Sequence, residues 1–261
     1  MISSQEPTQW LSHLSVLLPI NRALVVGAGR GTSEWIKWLK KQSIERVVLV
    51  EADTTAYVSL QKAIANQIGW ESKNDIFAEK TGDVDFYSTS LSSENGLLHP
   101  SKLIKVWPNI KIKQQQKQYA LSFNDAMKKY HLHPDLLIIN CFGIQSLLGD
   151  AFDVLKHVNI VVAKVTQNLE ELPETDLNVL VQYMEHHNFK LVQAEPIRHH
   201  SIAYAVFVKD YPKLCTNLIQ INEDYQQNYS CEQQKNTELN QQKQQLQITL
   251  QQTEEKLQTV V

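Results

Sequence analysis

The sequence predicts an α/β fold, in which a mostly parallel sheet carries helices on both faces and ends in an antiparallel hairpin, followed by a C-terminal coiled-coil helix. Three observations support this prediction. Short apolar runs alternate with amphipathic segments of helical length. The last two apolar runs, at 190–194 and 202–208, are joined by a short link, which indicates an antiparallel pair. From residue 225 onward about one residue in three is glutamine, and leucines recur there at heptad spacing.

The first half of the chain predicts helices and strands in alternation. An amphipathic helix covers residues 8–18, where the apolar residues share one stripe, and Pro19 ends it. Alternating strands and helices are then predicted at 23–27, 33–42, 46–51, 55–68 and 74–78. Between residues 81 and 120 two alternating segments flank a stretch that contains Ser, Asn, Gly and two prolines. We expect an insertion of hairpin and loop there, where a substrate can be held.

The second half of the chain continues the alternation and then changes in composition. A near capping box begins a helix at Ser122. Strands are predicted at 135–140 and 159–165, helices at 145–156 and 177–187, and the antiparallel strands at 190–194 and 202–208. We therefore divide the chain into an α/β domain at 1–212, with an N-terminal helix at 1–20 and the insertion at 81–120, and a glutamine-rich helical extension at 213–261.

Composition limits the classes of function. The chain has 261 residues, of which 43% are hydrophobic, and a net charge of −3. This suits one α/β domain with a substantial core and gives no general attraction to nucleic acid. No apolar run is long enough to span a membrane, no secretory start is present, and the three cysteines and nine histidines are scattered. We expect a cytoplasmic protein with no nucleic acid partner, no membrane span and no metal.

A glycine-rich turn follows the first predicted strand. Residues 23–31 read Ala-Leu-Val-Val-Gly-Ala-Gly-Arg-Gly, and the next apolar run ends on a carboxylate. Glycines let a backbone approach a ligand closely, and a carboxylate at the tip of the adjacent parallel strand can accept both hydroxyl hydrogens of a ribose. The G-x-G-x-G spacing favours S-adenosylmethionine (SAM) over a dinucleotide, and a turn without a ligand is the alternative. The predicted cofactor-binding residues are Gly27, Ala28, Gly29, Gly31 and Glu51.

Four segments resemble the FkbM-type family of SAM-dependent methyltransferases. They are the glycine loop at 26–31, Leu-Val-Glu-Ala-Asp at 49–53, the helix start at 119–127, and Asp-Leu-Leu-Ile-Ile-Asn-Cys-Phe-Gly-Ile-Gln at 135–145 with the Leu-Leu-Gly-Asp-Ala that follows at 147–151. The resemblance implies a Rossmann-like class I methyltransferase sheet, SAM as cofactor, and methyl transfer to a hydroxyl of a small or saccharide acceptor. It also implies that Asn140 lines the methyl end as a hydrogen-bonding group. The alternative is that Asn140 is a strand-end residue whose amide bonds to backbone.

The chain departs from the family pattern where charge is expected. Family members carry an acidic residue two positions before the first glycine and charged residues after the fourth strand, and the corresponding positions here are Val25, Ile138, Asn140, Phe142 and Gln145. The alternative function is therefore an inactive methyltransferase-like module, which serves as a binding or scaffold domain and presents a coiled coil. Through residues 230–261 we expect a homo-oligomer or a partner helix, and a single solvated helix is the alternative.

Overall fold

The computed structural model describes residues 7–149, 151–167, 169, 172–197 and 199–258, and the chain divides into two compact units between Lys209 and Asp210. The helices are Pro7–Leu17 (α1), Glu34–Leu39 (α2), Thr54–Ile64 (α3), Phe123–Tyr130 (α4), Ile144–Leu148 (α5), Phe152–Leu155 (α6), Leu177–His186 (α7) and Tyr211–Gln258 (α8). The strands are Arg22–Val26 (β1), Arg46–Val50 (β2), Trp70–Lys73 (β3), Ile76–Phe77 (β4), Gly82–Thr89 (β5), Ile112–Leu121 (β6), Leu136–Ile139 (β7), Ile160–Thr166 (β8), Phe189–Pro196 (β9) and Ile202–Lys209 (β10).

Seven strands form the central sheet in the order β3-β2-β1-β7-β8-β10-β9. The first five are parallel to one another, whereas β10 runs antiparallel to both β8 and β9. The predicted Rossmann-like sheet, mostly parallel with an antiparallel C-terminal hairpin, is therefore confirmed. The strand order reverses between β1 and β7, and ligands of open α/β sheets bind outside the carboxyl ends of the strands at such a point.

Helices cover both faces of this sheet, as predicted. On β7, Leu137 and Ile139 pack into a cluster with α4, α5, α6 and α7, while Leu136 and Ile138 pack into a second cluster with α1, α2 and α3. All residues of β7 and β8 are buried. Strands covered on both faces read as continuous apolar runs, which is why the sequence pattern located them well.

A strand, β4, lies within the predicted range 74–78, but it is not part of the central sheet. The third strand of the central sheet is β3, which lies earlier and pairs with β2, whereas β4 pairs with β6 in a separate three-stranded sheet. Asn74 lies between β3 and β4, and its Nδ2 donates to the carbonyl oxygen of Glu51 at 2.7 Å. The sequence of β3 is Trp-Glu-Ser-Lys and all four residues are half-buried, because it is an edge strand. It therefore lacks the apolar run that marks an interior strand.

Three predicted helices are shorter than expected, and the first of them, predicted at 33–42, spans only Glu34–Leu39. The helix predicted at 145–156 is interrupted between α5 and α6, where Gly149 has a φ of +43°, a left-handed conformation that ends a helix. The helix predicted at 55–68 ends at Ile64, and Ile68, within the predicted range, is 98% exposed. The next residue, Gly69, has a φ of +78° and turns the chain into β3.

The insertion forms a second, three-stranded sheet in the order β4-β6-β5. β5 and β6 are antiparallel, and the chain between them makes two 3₁₀ turns, Ser92–Glu94 and Pro100–Leu103. Each turn contains buried residues, Glu94 in the first and Pro100 and Leu103 in the second. This segment therefore packs against the domain instead of projecting from it.

The second unit consists of α8, a single helix of 48 residues. Among its described side chains, those of residues 215–244 are all exposed. The predicted C-terminal helix is thus confirmed, and its pairing into a coiled coil stays a prediction. No helix in the described part of the chain is both long and apolar enough to cross a membrane.

Lys209, at the end of β10, should make stability depend on pH in the alkaline range. Its Nζ donates to the carbonyl oxygen of Leu155 and lies 4.4 Å from the centre of the Phe189 ring. Burial lowers the pKa of Lys209 from 10.5 to about 8. Between these two pH values the unfolded chain binds more protons than the folded protein, so the free energy of unfolding should rise with pH.

Urea unfolding at pH 8, 9 and 10 checks this expectation. The wild type should gain stability relative to Lys209→Met over this range, because methionine removes the titrating group. The control Lys213→Met replaces an exposed lysine and should follow the wild type. Parallel pH profiles for the wild type and Lys209→Met would show that the ammonium is not perturbed by folding.

Candidate functional site

The glycine loop between β1 and α2 is held tightly at the point where the strand order reverses. The backbone N–H groups of Gly27 and Ala28 both donate to the carbonyl oxygen of Val50, each at 3.0 Å, so the loop is attached to the end of β2. Gly27 has a φ of +75°, and a Cβ at this position would lie 3.3 Å from the carbonyl group of Asn140. The loop therefore passes directly over the end of β7, and glycine is the residue that permits this approach.

The other two glycines of the loop differ in their surroundings. Gly31 lies against α3, where an added Cβ would come within 2.7 Å of the Ala63 Cβ and 3.1 Å of the Leu60 Cδ1. Gly29 has a φ of +62°, and a Cβ there would meet nothing within 4 Å. Gly27 and Gly31 thus allow close packing, while Gly29 leaves open space in the middle of the loop.

Glu51 reaches back from the end of β2 onto the glycine loop. Its Oε2 accepts the N–H of Gly29 at 2.6 Å, and its Oε1 accepts the N–H of Asp53 at 2.8 Å. Burial raises the pKa of Glu51, and hydrogen bonds from the backbone N–H groups of Asp53, Gly29 and Ala52 oppose that shift. A carboxylate offers about four lone-pair sites. The side chain can therefore accept a further hydrogen bond while it stays bonded to the loop.

Asn140 joins three strands at their ends. Its Nδ2 donates to the carbonyl oxygen of Gly27 at 3.0 Å, its Oδ1 accepts the hydroxyl of Tyr204 on β10, and its backbone N–H donates to Val26 at 2.9 Å. The Tyr204 ring packs edge-on against Trp35, with ring centres 4.7 Å apart. The amide thus bonds to the backbone of Gly27 and to the side chain of Tyr204, and its role at the methyl end stays a prediction.

A buried ion pair beside these residues was missed by the sequence analysis. Lys164, on β8, donates to both carboxylate oxygens of Glu94 at 2.9 Å, and the two side chains are only 8% and 6% exposed. The Lys164 Nζ also lies 4.3 Å from the centre of the Phe142 ring and 5.6 Å from that of Trp107. A lysine inside the apolar run 160–166 was the available signal, because a charge in a buried strand requires a partner.

Besides its contact with β8, the insertion also bonds to the chain beyond the end of β2. Asn95, next to Glu94, donates from Nδ2 to the Oδ2 of Asp53 at 2.8 Å, just beyond the end of β2. The Oδ1 of Asp53 accepts the N–H of Ala56 at 2.7 Å and so caps α3. The segment around Glu94 therefore extends from the end of β2 to β8, across the ends of β1 and β7. We call residues 90–107 the strap.

The chemistry of the site does not include a reactive thiol. Burial raises the pKa of the Cys141 thiol to about 12, opposed by Lys164 and reinforced by Glu51 and Glu94. The thiol is therefore protonated at neutral pH and is a poor nucleophile. Among the described residues, no group of three or more His, Cys, Asp or Glu is arranged to hold a metal ion.

Comparison with known proteins identifies similar folds and no close relative. No protein-family model and no curated protein matches the chain. The methyltransferase FkbM from Methylobacillus flagellatus KT has a TM-score of 0.49 at 15% identity, and the match covers 72% of this chain and 43% of that one. The chain thus spans less than half the length of that structure.

Two further structures are similar over most of their length. The magnesium protoporphyrin IX methyltransferase ChlM from Synechocystis PCC 6803, solved with bound SAM, has a TM-score of 0.43 at 8% identity, with 77% of this chain and 76% of that chain covered. The putative RNA methyltransferase PH1948 from Pyrococcus horikoshii has a TM-score of 0.41 at 12% identity, with coverages of 77% and 82%. These similarities concern the fold alone. The absence of a nucleic acid partner stays a prediction.

Proposed function

We propose that this protein binds SAM at the carboxyl ends of β1, β2 and β7 and transfers its methyl group to a small acceptor, for which the family resemblance favours a saccharide hydroxyl. The observation that carries the proposal is the position of Glu51. Its carboxylate lies on the glycine loop at the carboxyl end of β2, bonded to the Gly29 N–H at 2.6 Å. A carboxylate at this position can accept hydroxyl hydrogens of a ribose.

The roles of the other residues follow from their contacts. Gly27, Ala28, Gly29 and Gly31 shape the loop, and Asn140 holds Gly27 at the end of β7. SAM carries its methyl group on a sulfonium, which is already a good leaving group. The chain therefore has to align the acceptor with the methyl group and exclude water, and proximity supplies much of the rate. The strap, which bonds to Asp53 beyond β2 and to Lys164 on β8, is the element that can exclude water.

A binding or scaffold module is the second candidate function, and the loop after β7 favours it. The Asn140 amide is engaged by Gly27 and Tyr204, Phe142 packs against Trp107 with ring centres 6.1 Å apart, and burial raises the pKa of Cys141. None of Asn140, Cys141 and Phe142 therefore supplies a base for methyl transfer. Proximity alone suffices for some acceptors, so the two candidates are separated by whether the site binds SAM.

Calorimetry with SAM and with its demethylated product tests the proposed function. We expect the wild type to bind both at micromolar concentration. Glu51→Ala should weaken the binding of both by about 1–3 kcal/mol, or about 5- to 150-fold, because it removes the acceptors of the ribose hydroxyls.

The matched control is Glu71→Ala, which removes a carboxylate of the neighbouring strand β3 that pairs with Arg46 and Lys73. It should bind SAM as the wild type does. Thermal unfolding without ligand establishes that each variant is folded. Unchanged affinity in Glu51→Ala would remove this residue from the site. A folded wild type that binds neither compound would contradict the proposal and support the scaffold function.

A further inference from the structure

α8 exposes a line of large side chains at heptad spacing. Its large members are between 51% and 70% exposed; they are Tyr229 at an a position and Leu218, Tyr225, Leu239 and Leu246 at d positions. Apolar residues repeated at this spacing stabilise a helix chiefly by packing against another helix. We call this line the α8 seam; it comprises positions 218, 222, 225, 229, 232, 236, 239, 243 and 246, and the same spacing continues at 250, 253 and 257.

Two ionisable residues stand within the α8 seam, Glu232 at a d position and Lys243 at an a position. In a parallel, in-register pair each residue faces its own copy, so that glutamate meets glutamate and lysine meets lysine within the interface. Like charges placed opposite one another are unfavourable. In an antiparallel pair an a position faces a d position. When the two-fold axis of the pair lies midway between Asn236 and Leu239, Glu232 of each copy lies opposite Lys243 of the other.

The same antiparallel register matches the remaining positions of the α8 seam. Tyr229 faces Leu246, while position 225 faces 250 and position 218 faces 257, all of them apolar or aromatic residues. Position 222, an asparagine, faces position 253, a threonine. Only Asn236 opposite Leu239 combines a polar with an apolar residue.

Neighbouring antiparallel registers lose this match. A shift of one heptad in one direction places Lys243 opposite Leu239 and Glu232 opposite a leucine at 250. A shift in the other direction places Lys243 opposite Tyr225 and Glu232 opposite Asn236. Charge complementarity therefore selects one orientation and one register.

We propose that two copies of this chain associate through α8 as an antiparallel helix pair, in which Glu232 of each copy bonds to Lys243 of the other. The occupant of the α8 seam is thus a second copy of the same helix. The proposal rests on the pattern and exposure of α8 and is independent of whether the α/β domain binds SAM.

Sedimentation equilibrium on the full chain tests the proposal. The wild type should be a dimer with twice the chain mass of 30.0 kDa. Glu232→Lys should weaken the dimer by about tenfold or more, because both ion pairs become contacts between like charges. Lys243→Glu should do the same. The double variant Glu232→Lys with Lys243→Glu should restore the dimer, since exchange of the two charges regenerates both pairs.

The matched control is Glu238→Lys, which reverses a charge at an exposed position outside the α8 seam and should leave the dimer unchanged. In a parallel pair the single reversals exchange one like-charge contact for another, so neither would weaken association. A monomeric wild type would contradict the association through α8. A dimer that resists the single reversals, or that the double variant does not restore, would contradict the antiparallel register.

Oxidation of the natural thiols gives an independent measure of orientation. Cys215 occupies an a position on the same line, so a parallel pair brings the two copies of this residue together. In the proposed register they are about 65–70 Å apart along the helix, from 45 residues at a rise of about 1.5 Å each. We expect no disulfide between the two copies of Cys215 under mild oxidation. Rapid formation of this disulfide would contradict the proposal.

Discussion

Replacing Lys164 with methionine should reduce the stability of the α/β domain by about 3–5 kcal/mol, because the change leaves the Glu94 carboxylate buried without its partner. The two groups are bonded through both carboxylate oxygens at 2.9 Å and are almost completely removed from water. Urea unfolding at pH 7 measures the loss. Glu94→Gln should also be strongly destabilising, since it leaves the ammonium of Lys164 without a counter-charge.

A double variant distinguishes the loss of the ion pair from the cost of leaving one charge buried without a partner. Lys164→Met combined with Glu94→Gln removes both charges and should be more stable than the sum of the single losses predicts. The surface control is Lys37→Met, which breaks an exposed pair with Glu34 on α2 and should change stability by no more than about 0.5 kcal/mol. Equal effects of Lys164→Met and Lys37→Met would mean that the ion pair is solvated in solution, and that the strap is not held to β8.

Replacing Gly31 with alanine should reduce stability by about 2–4 kcal/mol. Its φ is +79°, which costs an alanine about 1–2 kcal/mol. In addition, the new Cβ would lie 2.7 Å from the Ala63 Cβ, and a methyl group attached directly to the backbone of α3 cannot turn away. The measurement is thermal or urea unfolding of the ligand-free protein.

Gly29 offers the matched control within the same loop. Gly29→Ala has the same backbone cost, since its φ is +62°, but its Cβ meets nothing within 4 Å. It should therefore lose only about 1–2 kcal/mol. Adding Ala63→Gly to Gly31→Ala should recover the steric part of the loss, when compared with Ala63→Gly alone. A Gly31→Ala loss no greater than that of Gly29→Ala would show that the loop and α3 are not packed as described.

The sequence predicts the central sheet because each of its interior strands is a continuous apolar run. β7 and β8 are buried on both faces, so their patterns are unambiguous. The edge strand β3 was missed because its four residues are only half-buried and do not form an apolar run. The break between α5 and α6 was missed because Gly149, read as part of a family motif, in fact adopts a left-handed φ of +43°.

The residues of the site also differ in how far apart the contacting partners lie in the sequence. Gly27, Gly29, Gly31 and Glu51 belong to a pattern that lies within one strand–helix–strand unit, and the structure brings them together. The Glu94 and Lys164 pair joins residues 70 positions apart in the sequence. Lysine in an apolar run indicates that a partner exists, but the partner's identity depends on how the insertion folds back over the sheet, which no local pattern contains.

Asp53 links α3 to the strap through a single carboxylate. One oxygen caps α3, the helix that packs behind Gly31, and the other holds Asn95 of the strap. A displacement of the strap must therefore pull on the first turn of α3 or break the bond to Asn95. The strap and the first turn of α3 are in this way mechanically coupled through one side chain.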